Sequence, residues 1–213
     1  MRLYHHPFSF NARRAVMAAF QLGLSPELVL VDLGRGEQRN PEFLAKNPNG
    51  SVPVLEDDDG FILWESNAIM QYLADKTPGH TLYPTELRAR ADVNRWLFWS
   101  AHHFTPAVSI LCWEHVIKPI LGAGDPDPAR VARGMEEVTR RAGVLNEHLA
   151  TRPWIAQDTL TLADLAIAAP LTVLDQAKLP INAEDHSHIM AWLKNMQDLD
   201  AWKRCDALLA QLR

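Results

Sequence analysis

Strand signals are confined to the first 76 residues of this chain, and everything beyond residue 85 repeats with a helical period. The first 76 residues alternate strand and helix signals and the rest carries only helical ones, the pattern of a small mixed domain followed by an all-helical one. Within the first stretch, Arg2 to His5 reads as a short strand. Asn11 to Leu22 places Ala12, Ala15, Val16, Ala19 and Phe20 on one helical stripe and stops at Gly23, a residue suited to the left-handed turn past a helix end. Leu28 to Val31 is a continuous apolar run, expected to be a buried strand, and Pro41 to Lys46 has the proline start and Phe43-Leu44 face of a short helix. Val54 to Asp57 and Phe61 to Trp64 flank Asp58-Asp59-Gly60, whose Asp-Gly step predicts a hairpin. Ser66 to Lys76, with Ile69, Met70, Tyr72 and Leu73 at helical spacing, closes a βαβαββα order.

Thr77-Pro78-Gly79-His80-Thr81-Leu82-Tyr83-Pro84 is dense in turn formers and marks the expected boundary: a first domain at 1–76, a linker at 77–85 and an all-helical domain at 86–213. Glu86 to about Leu121 reads as a long helix in which Pro106 predicts a kink or break. Asp127-Pro128 supplies a cap and a first-turn proline for a helix reaching about Leu149. Thr161-Leu162-Ala163-Asp164 is a capping-box-like start, with Asp in place of Glu, to a helix running to about Ala177. Two short helices, Ile189 to Leu199 and Ala201 to Leu212, finish the pattern.

Composition narrows the classes of function. With 213 residues, 47% hydrophobic and 22% charged, the chain has material for a packed interior and too little charge for disorder. The formal net charge is -5 and no segment gathers Lys and Arg into a basic stripe, which argues against nucleic acid as a partner. The start, Met1 to Pro7, has no apolar h-region, and no stretch approaches the roughly 18 apolar residues of a membrane span, so a soluble, cytoplasmic protein is expected. Cys112 and Cys205 form neither a Cys-x-x-Cys pair nor a disulfide framework and read as packed thiols. His102-His103 and Glu114-His115 lack the i,i+4 ligand spacing, so no metal is expected.

Three segments of the first 76 residues carry chemistry together. In Gly50-Ser51-Val52-Pro53-Val54 the proline enters directly before a strand, where an edge, a turn or a cis peptide is expected; a cis bond would leave the Val52 amide and carbonyl free to pair with an extended peptide. In Trp64-Glu65-Ser66-Asn67 a strand gives way to a helix whose first amides form a carboxylate site, with Glu65 placed to meet an amine. Ser9-Phe10-Asn11-Ala12-Arg13 is the turn from the first strand into the first helix, where Ser9 also suits a helix cap.

Ser9 to Arg13 resembles the serine-type active-site stretch of the phi, theta and zeta classes of cytosolic glutathione transferases. Gly36 to Leu73 is similar to the rest of that family's glutathione site, including the Asn-Pro-x-Gly-x-Val-Pro run at Asn47 to Pro53 and the Glu65-Ser66 pair. Thr161 to Asp164 is similar to its C-terminal-domain helix cap. The likeness is specific in the first third and architectural after residue 85. It implies a thioredoxin-like first domain, an all-α helical bundle after it, glutathione as co-substrate and a homodimer; a bacterial source is expected. Ser9 would donate to the glutathione sulfur, with Asn11 the rival donor. Val52 and Pro53 would clamp the cysteinyl backbone, and Glu65 and Ser66 would hold the γ-glutamyl end. Gln38 and Arg39 stand where phi-like members often carry His-Lys near the glycine carboxylate, so the charge survives only at Arg39. Ser51 replaces a common Gln or Lys. Phe10, His103 and Trp113 are candidates for the apolar second substrate, and Tyr4, inside the first strand, reads as packing.

The implied activity is conjugation of glutathione thiolate to electrophilic, mostly apolar small molecules in detoxification. Disulfide or peroxide reduction, dehalogenation and isomerisation are alternatives on the same scaffold, and a non-catalytic ligand-binding protein is a further one, because a fold does not fix an activity.

Overall fold

The computed structural model describes residues 1–211. By contact the chain divides into two compact units: Met1–Tyr83 together with the chain from Gln197 onward, and Pro84–Met196.

In the first unit β1 (Arg2–His5), β2 (Glu27–Leu30), β3 (Val54–Glu56) and β4 (Ile62–Trp64) form one sheet in the order β2-β1-β3-β4. β1 runs parallel to β2 through the crossover helix α1 (Phe10–Gln21), while β3 is antiparallel to both β1 and β4. α2 (Pro41–Leu44) and α3 (Ser66–Lys76) complete the βαβαββα order that the sequence predicts. Leu3, Val54 and Leu55 have no exposed surface, so both faces of the central strands are covered. β2 differs from its expectation as a buried strand: it is the sheet's edge, its burial alternates poorly, and Leu30 is 47% exposed. An apolar run tells a strand from a loop but does not tell a central strand from a marginal one.

α1 buries Ala12, Ala15, Val16 and Ala19 as its stripe requires, and also Arg13 and Arg14. Arg13 Nη2 donates to Asp206 Oδ1 at 2.6 Å and to the Trp202 carbonyl at 3.3 Å, and its guanidinium lies 4.6 Å from the Trp202 ring centre. These partners belong to α10 (Asp200–Ala210), so the last helix packs on α1. It therefore groups with the first unit, unlike a helical domain running unbroken over 86–213. The physical reason is the buried cation, whose carboxylate partner, Asp206, comes from the far end of the chain. The expected end of this helix at Leu212 lies outside the described residues.

The second unit opens with α4 (Leu87–Trp99), α5 (Thr105–Cys112) and α6 (Lys118–Ile120), joined by π-helical turns at Ser100–Phe104 and Trp113–Ile117. The kink or break expected at Pro106 takes the form of a widened turn just before it, with the helix continuing. Thr105 N–H bonds to the Ser100 carbonyl and Lys118 N–H to that of Trp113, each five residues back and each just before a proline. Widening the turn there makes room for a ring that would otherwise strike the carbonyl four residues earlier. α7 (Pro128–Leu149) is capped by Asp127, whose carboxylate accepts from Ala129 and Arg130 N–H. α8 (Leu162–Ala168) carries the Thr161–Asp164 capping box, then tightens into a 3-10 turn at Ala169–Val173 and stops short of Ala177. Pro170 cannot donate to the Ala166 carbonyl, and the Ser100 hydroxyl does so instead at 3.1 Å. α9 is Ser187–Asp198. No helix among the described residues is long and apolar enough to cross a membrane.

Two glycines of α7 should respond oppositely to alanine. A Cβ at Gly134 would sit 2.8 Å from Leu111 Cδ2, whereas one at Gly143 meets nothing within 4 Å. Gly143→Ala is expected to raise stability by about 0.5–1 kcal/mol through helix propensity, and Gly134→Ala to lower it by about 1–3 kcal/mol through overpacking, both read from urea midpoints. Asp57, at the β3–β4 turn, has a buried carboxylate that accepts from Lys76 and Tyr72, and its pKa falls to about 2. A depressed carboxylate stabilises the fold above its unfolded value of about 3.9 and loses that contribution as pH falls through the folded one. With Lys76 partly solvated, the difference is about 1–2 kcal/mol. Wild-type stability should thus drop more steeply between about pH 4 and about pH 2 than that of Asp57→Asn, and parallel urea midpoints would refute the assignment.

Candidate functional site

The sheet register builds the site. Tyr4 pairs with Val54 and Val54 with Trp64, making one row across β1, β3 and β4. Because β3 runs against its two neighbours, the chain leaving β1 toward Ser9, the chain entering β3 through Val52-Pro53 and the chain leaving β4 at Glu65 all lie at the same end of the sheet.

Ser9 is the N-cap of α1. Its Oγ accepts from Ala12 N–H at 3.2 Å, and its own N–H bonds to the His6 carbonyl at 2.9 Å. Capping uses a lone pair and leaves the hydroxyl proton available, so cap and donor are compatible roles for one side chain. Phe10 and Asn11 open the helix and are half-buried. His5, buried in β1, has its pKa lowered to about 4 by desolvation and by the charge of His6, and burial also lowers His6. Burial thus disfavours charge on both imidazoles ahead of the Ser9 turn.

The Val52–Pro53 bond is cis, one of the three arrangements expected where this proline enters its strand. Val52 is buried, yet its N–H and carbonyl take no hydrogen bond from the described residues. The loop before it is shaped by Asn47, whose Nδ2 donates to the Ser51 carbonyl at 2.7 Å and whose Oδ1 accepts from Asn49 N–H at 3.0 Å. Gly50 has φ 58° and lies so close to the Gln38 carbonyl that a Cβ would meet it at 3.2 Å. Only glycine meets both conditions without a shift. Gln38 and Arg39 lie in the 3-10 turn Glu37–Arg39; the Gln38 Oε1 is buried without a partner, and Arg39 is exposed. The Ser51 hydroxyl, exposed, donates to the Asn49 carbonyl.

Glu65 has φ 73° and ψ 110°, a conformation that costs a side-chain-bearing residue about 1–3 kcal/mol. No side chain caps α3, and Ser66 is buried at its first position. The start of this eleven-residue helix, at Ser66, is therefore suited to an incoming acceptor. Sequence reasoning gave Arg14 no part here. It is 1% exposed, donates through Nη1 to Asn67 Oδ1 at 3.3 Å, and has its pKa lowered to about 10 by burial, so it stays cationic at neutral pH beside the start of α3. The available signal was a charge on an otherwise Ala/Val/Met face of α1.

His103 and Trp113 belong to the second unit, one in each π-helical turn, and both are exposed. Phe104 is wholly buried and stacked on Trp99, which makes it core. Glu114 is buried and held by Lys118 at 3.1 Å, Arg130 at 3.0 Å and Asp127 N–H at 2.9 Å, so its carboxylate is committed to α7 rather than to a ligand. Cys205 is buried with its thiol pushed up to about 12, and burial raises Cys112 as well.

The backbone at Glu65 yields a stability test. Alanine and glycine there both remove the carboxylate, but only glycine relieves the positive φ. Glu65→Gly is therefore expected to melt above Glu65→Ala by the equivalent of about 1 kcal/mol, reversing the usual order. Equal or lower stability of the glycine variant would show the conformation to be unstrained.

Comparison with known proteins places the fold and the family. The family model for the glutathione S-transferase N-terminal domain matches residues 1–75 and that for its C-terminal domain residues 101–200. Glutathione S-transferase 3 of Zea mays is 36% identical, over 98% of this chain and 94% of its own. Glutathione transferase F7 from Populus trichocarpa superposes with a TM-score of 0.88 at 30% identity, covering 97% of this chain and 98% of its own. A structure of glutathione S-transferase-I bound with lactoylglutathione gives 0.86 at 29% identity, with the same 97% and 98% coverage. The Zea mays and Populus relatives are plant proteins and lend no support to the expected bacterial source. The chain belongs to the glutathione S-transferase family.

Proposed function

We propose that the first unit binds glutathione and activates its thiol for conjugation to an electrophilic, mostly apolar small molecule. The observation that carries this is the Ser9 hydroxyl, which caps α1 as an acceptor and keeps its proton to donate. Around it, the open Val52 backbone suits the cysteinyl residue. The uncapped start of α3 suits the γ-glutamyl carboxylate, with Glu65 for the amine. The unpartnered Gln38 Oε1 and the exposed Arg39 suit the glycine end. The lactoylglutathione bound by a solved relative supports a glutathione-shaped site.

The energetics are sufficient without a metal. A free thiol of pKa about 8.5 is about 3% thiolate at pH 7. Lowering it by about two units takes about 2.7 kcal/mol of preference for the anion. A hydrogen bond to a charged acceptor contributes about 1.5–3 kcal/mol, and the start of α1 adds about 0.3–1 kcal/mol. In the reaction the thiolate sulfur attacks the electrophilic carbon, a thioether bond forms and the leaving group departs with its electron pair.

Of the residues expected at the second substrate, Phe10 stands in the first unit next to Ser9 in the chain, and we assign it to that substrate. The family likeness further supports a two-fold homodimer and a cytoplasmic location. Asn11 favours a second reading, attack of the thiolate on a disulfide or peroxide. Its half-buried side chain has no hydrogen-bond partner among the described residues, so its amide is available to the sulfur.

Ser9→Ala is expected to raise the pKa of bound glutathione by about one to two units and to cut turnover of a chloro-nitroaromatic at pH 6.5–7 about 10- to 100-fold. Unchanged values would remove Ser9 as the donor, and a larger loss in Asn11→Ala, measured with a mixed disulfide, would move the chemistry to the second reading.

A further inference from the structure

Between β2 and β3 the chain makes an excursion that carries Gln38 and Arg39 out and returns through Asn47 and Gly50 to Val52. Its middle is anchored by Phe43, buried with Ala12, Val31, Val52 and Val54, with its ring edge-on to Tyr4 at 6.2 Å. Its return is held at another point. Lys46, which follows α2, reaches across to Glu56 on β3, with Nζ to Oε2 at 2.7 Å. The same oxygen accepts from the Tyr4 hydroxyl at 2.7 Å, and Arg2 stands 3.5 Å from the other. The carboxylate is thus oriented by β1 independently of Lys46. The ammonium also lies 5.3 Å from the centre of the Tyr4 ring. An isolated surface pair contributes little, but a half-buried one with a pre-oriented acceptor holds a defined geometry.

What Lys46 holds is transmitted along the loop. Asn47 is its neighbour, Gly50 N–H bonds to the Asn47 carbonyl at 3.0 Å, and Gly50 abuts the Gln38 carbonyl. We propose that Lys46, latched to Glu56 on β3, is a positioning residue for the glycine end of glutathione, fixing the turn that bears Gln38 and Arg39. This rests on the glutathione reading above. Lys46 touches no part of the tripeptide in this account; its ammonium is spent on Glu56.

Glutathione and γ-glutamylcysteine, which lacks the glycine, separate the possibilities in steady-state kinetics. With glutathione, Lys46→Met should raise KM about 5- to 10-fold, as for one charge-assisted hydrogen bond lost, with kcat within about twofold. With γ-glutamylcysteine, the variant and the wild type should have the same KM. Lys46→Arg should restore the glutathione KM. Glu56→Gln should reproduce the Lys46→Met pattern from the other side of the latch, and it serves as the test should Lys46→Met fail to fold. An unchanged glutathione KM in both variants, or an equal rise for both thiols, overturns the proposal. Failure of the wild type to turn over or retain glutathione overturns the underlying reading instead, and shows itself without any variant.

Discussion

The row of Tyr4, Val54 and Trp64 across three strands is the constraint on which the site depends. Ser9, Val52 and Glu65 come from three separate turns, and only the pairing of β1, β3 and β4 brings those turns to one end of the sheet. The register is not free to drift. Leu3 on β1 and Val54 and Leu55 on β3 are completely buried, each packed against its own neighbours, and a one-residue slip would also part the Tyr4 hydroxyl from the Glu56 carboxylate. A site made of a hydroxyl, a backbone edge and a helix start thereby inherits its geometry from hydrophobic packing.

Buried charge does a second kind of work, fastening segments that the sheet does not reach. Arg13 ties α1 to α10 through Asp206 and Trp202. In the second unit, Glu114 gathers Lys118, Arg130 and the Asp127 amide around the start of α7. Asp164 accepts from Ile155 N–H, from Thr161 N–H and hydroxyl, and from Trp192 Nε1, joining α8 to α9 and to the segment before it. Such pairs give modest net stability, but removing one partner strands the other in a medium that cannot solvate it. They act as locks on arrangement more than as sources of stability.

Local chemistry was legible where local chemistry decides. The α3 bounds at Ser66 and Lys76, the Asp127 cap and the Thr161–Asp164 box were readable because each involves residues within a few positions. The segments bearing the candidate site were readable for a similar reason, since Ser9, Val52-Pro53 and Glu65-Ser66 stand at changes of element that turn and cap signals mark. Readings failed where a distant group intervenes. The helix expected to run to about Ala177 leaves its α form after Ala168, with the distant Ser100 hydroxyl satisfying the carbonyl that Pro170 cannot. Arg13 and Arg14 are interior in the fold, which helix periodicity alone does not reveal for a charged residue.

By itself the amino-acid order determined that strands are confined to the first part of the chain, the sequence of elements there, and the presence of a hydroxyl, a prolyl turn and a helix start suited to a small peptide. Those properties follow from periodicity, caps and backbone chemistry, which act over a turn or two. Only the tertiary structure decided that β2 is an edge, that the last helix lies on the first, that Glu65 adopts a positive φ, and that Lys46 meets Glu56. Each of these depends on which surfaces remain to be covered and which buried charges remain to be paired once the whole chain has packed.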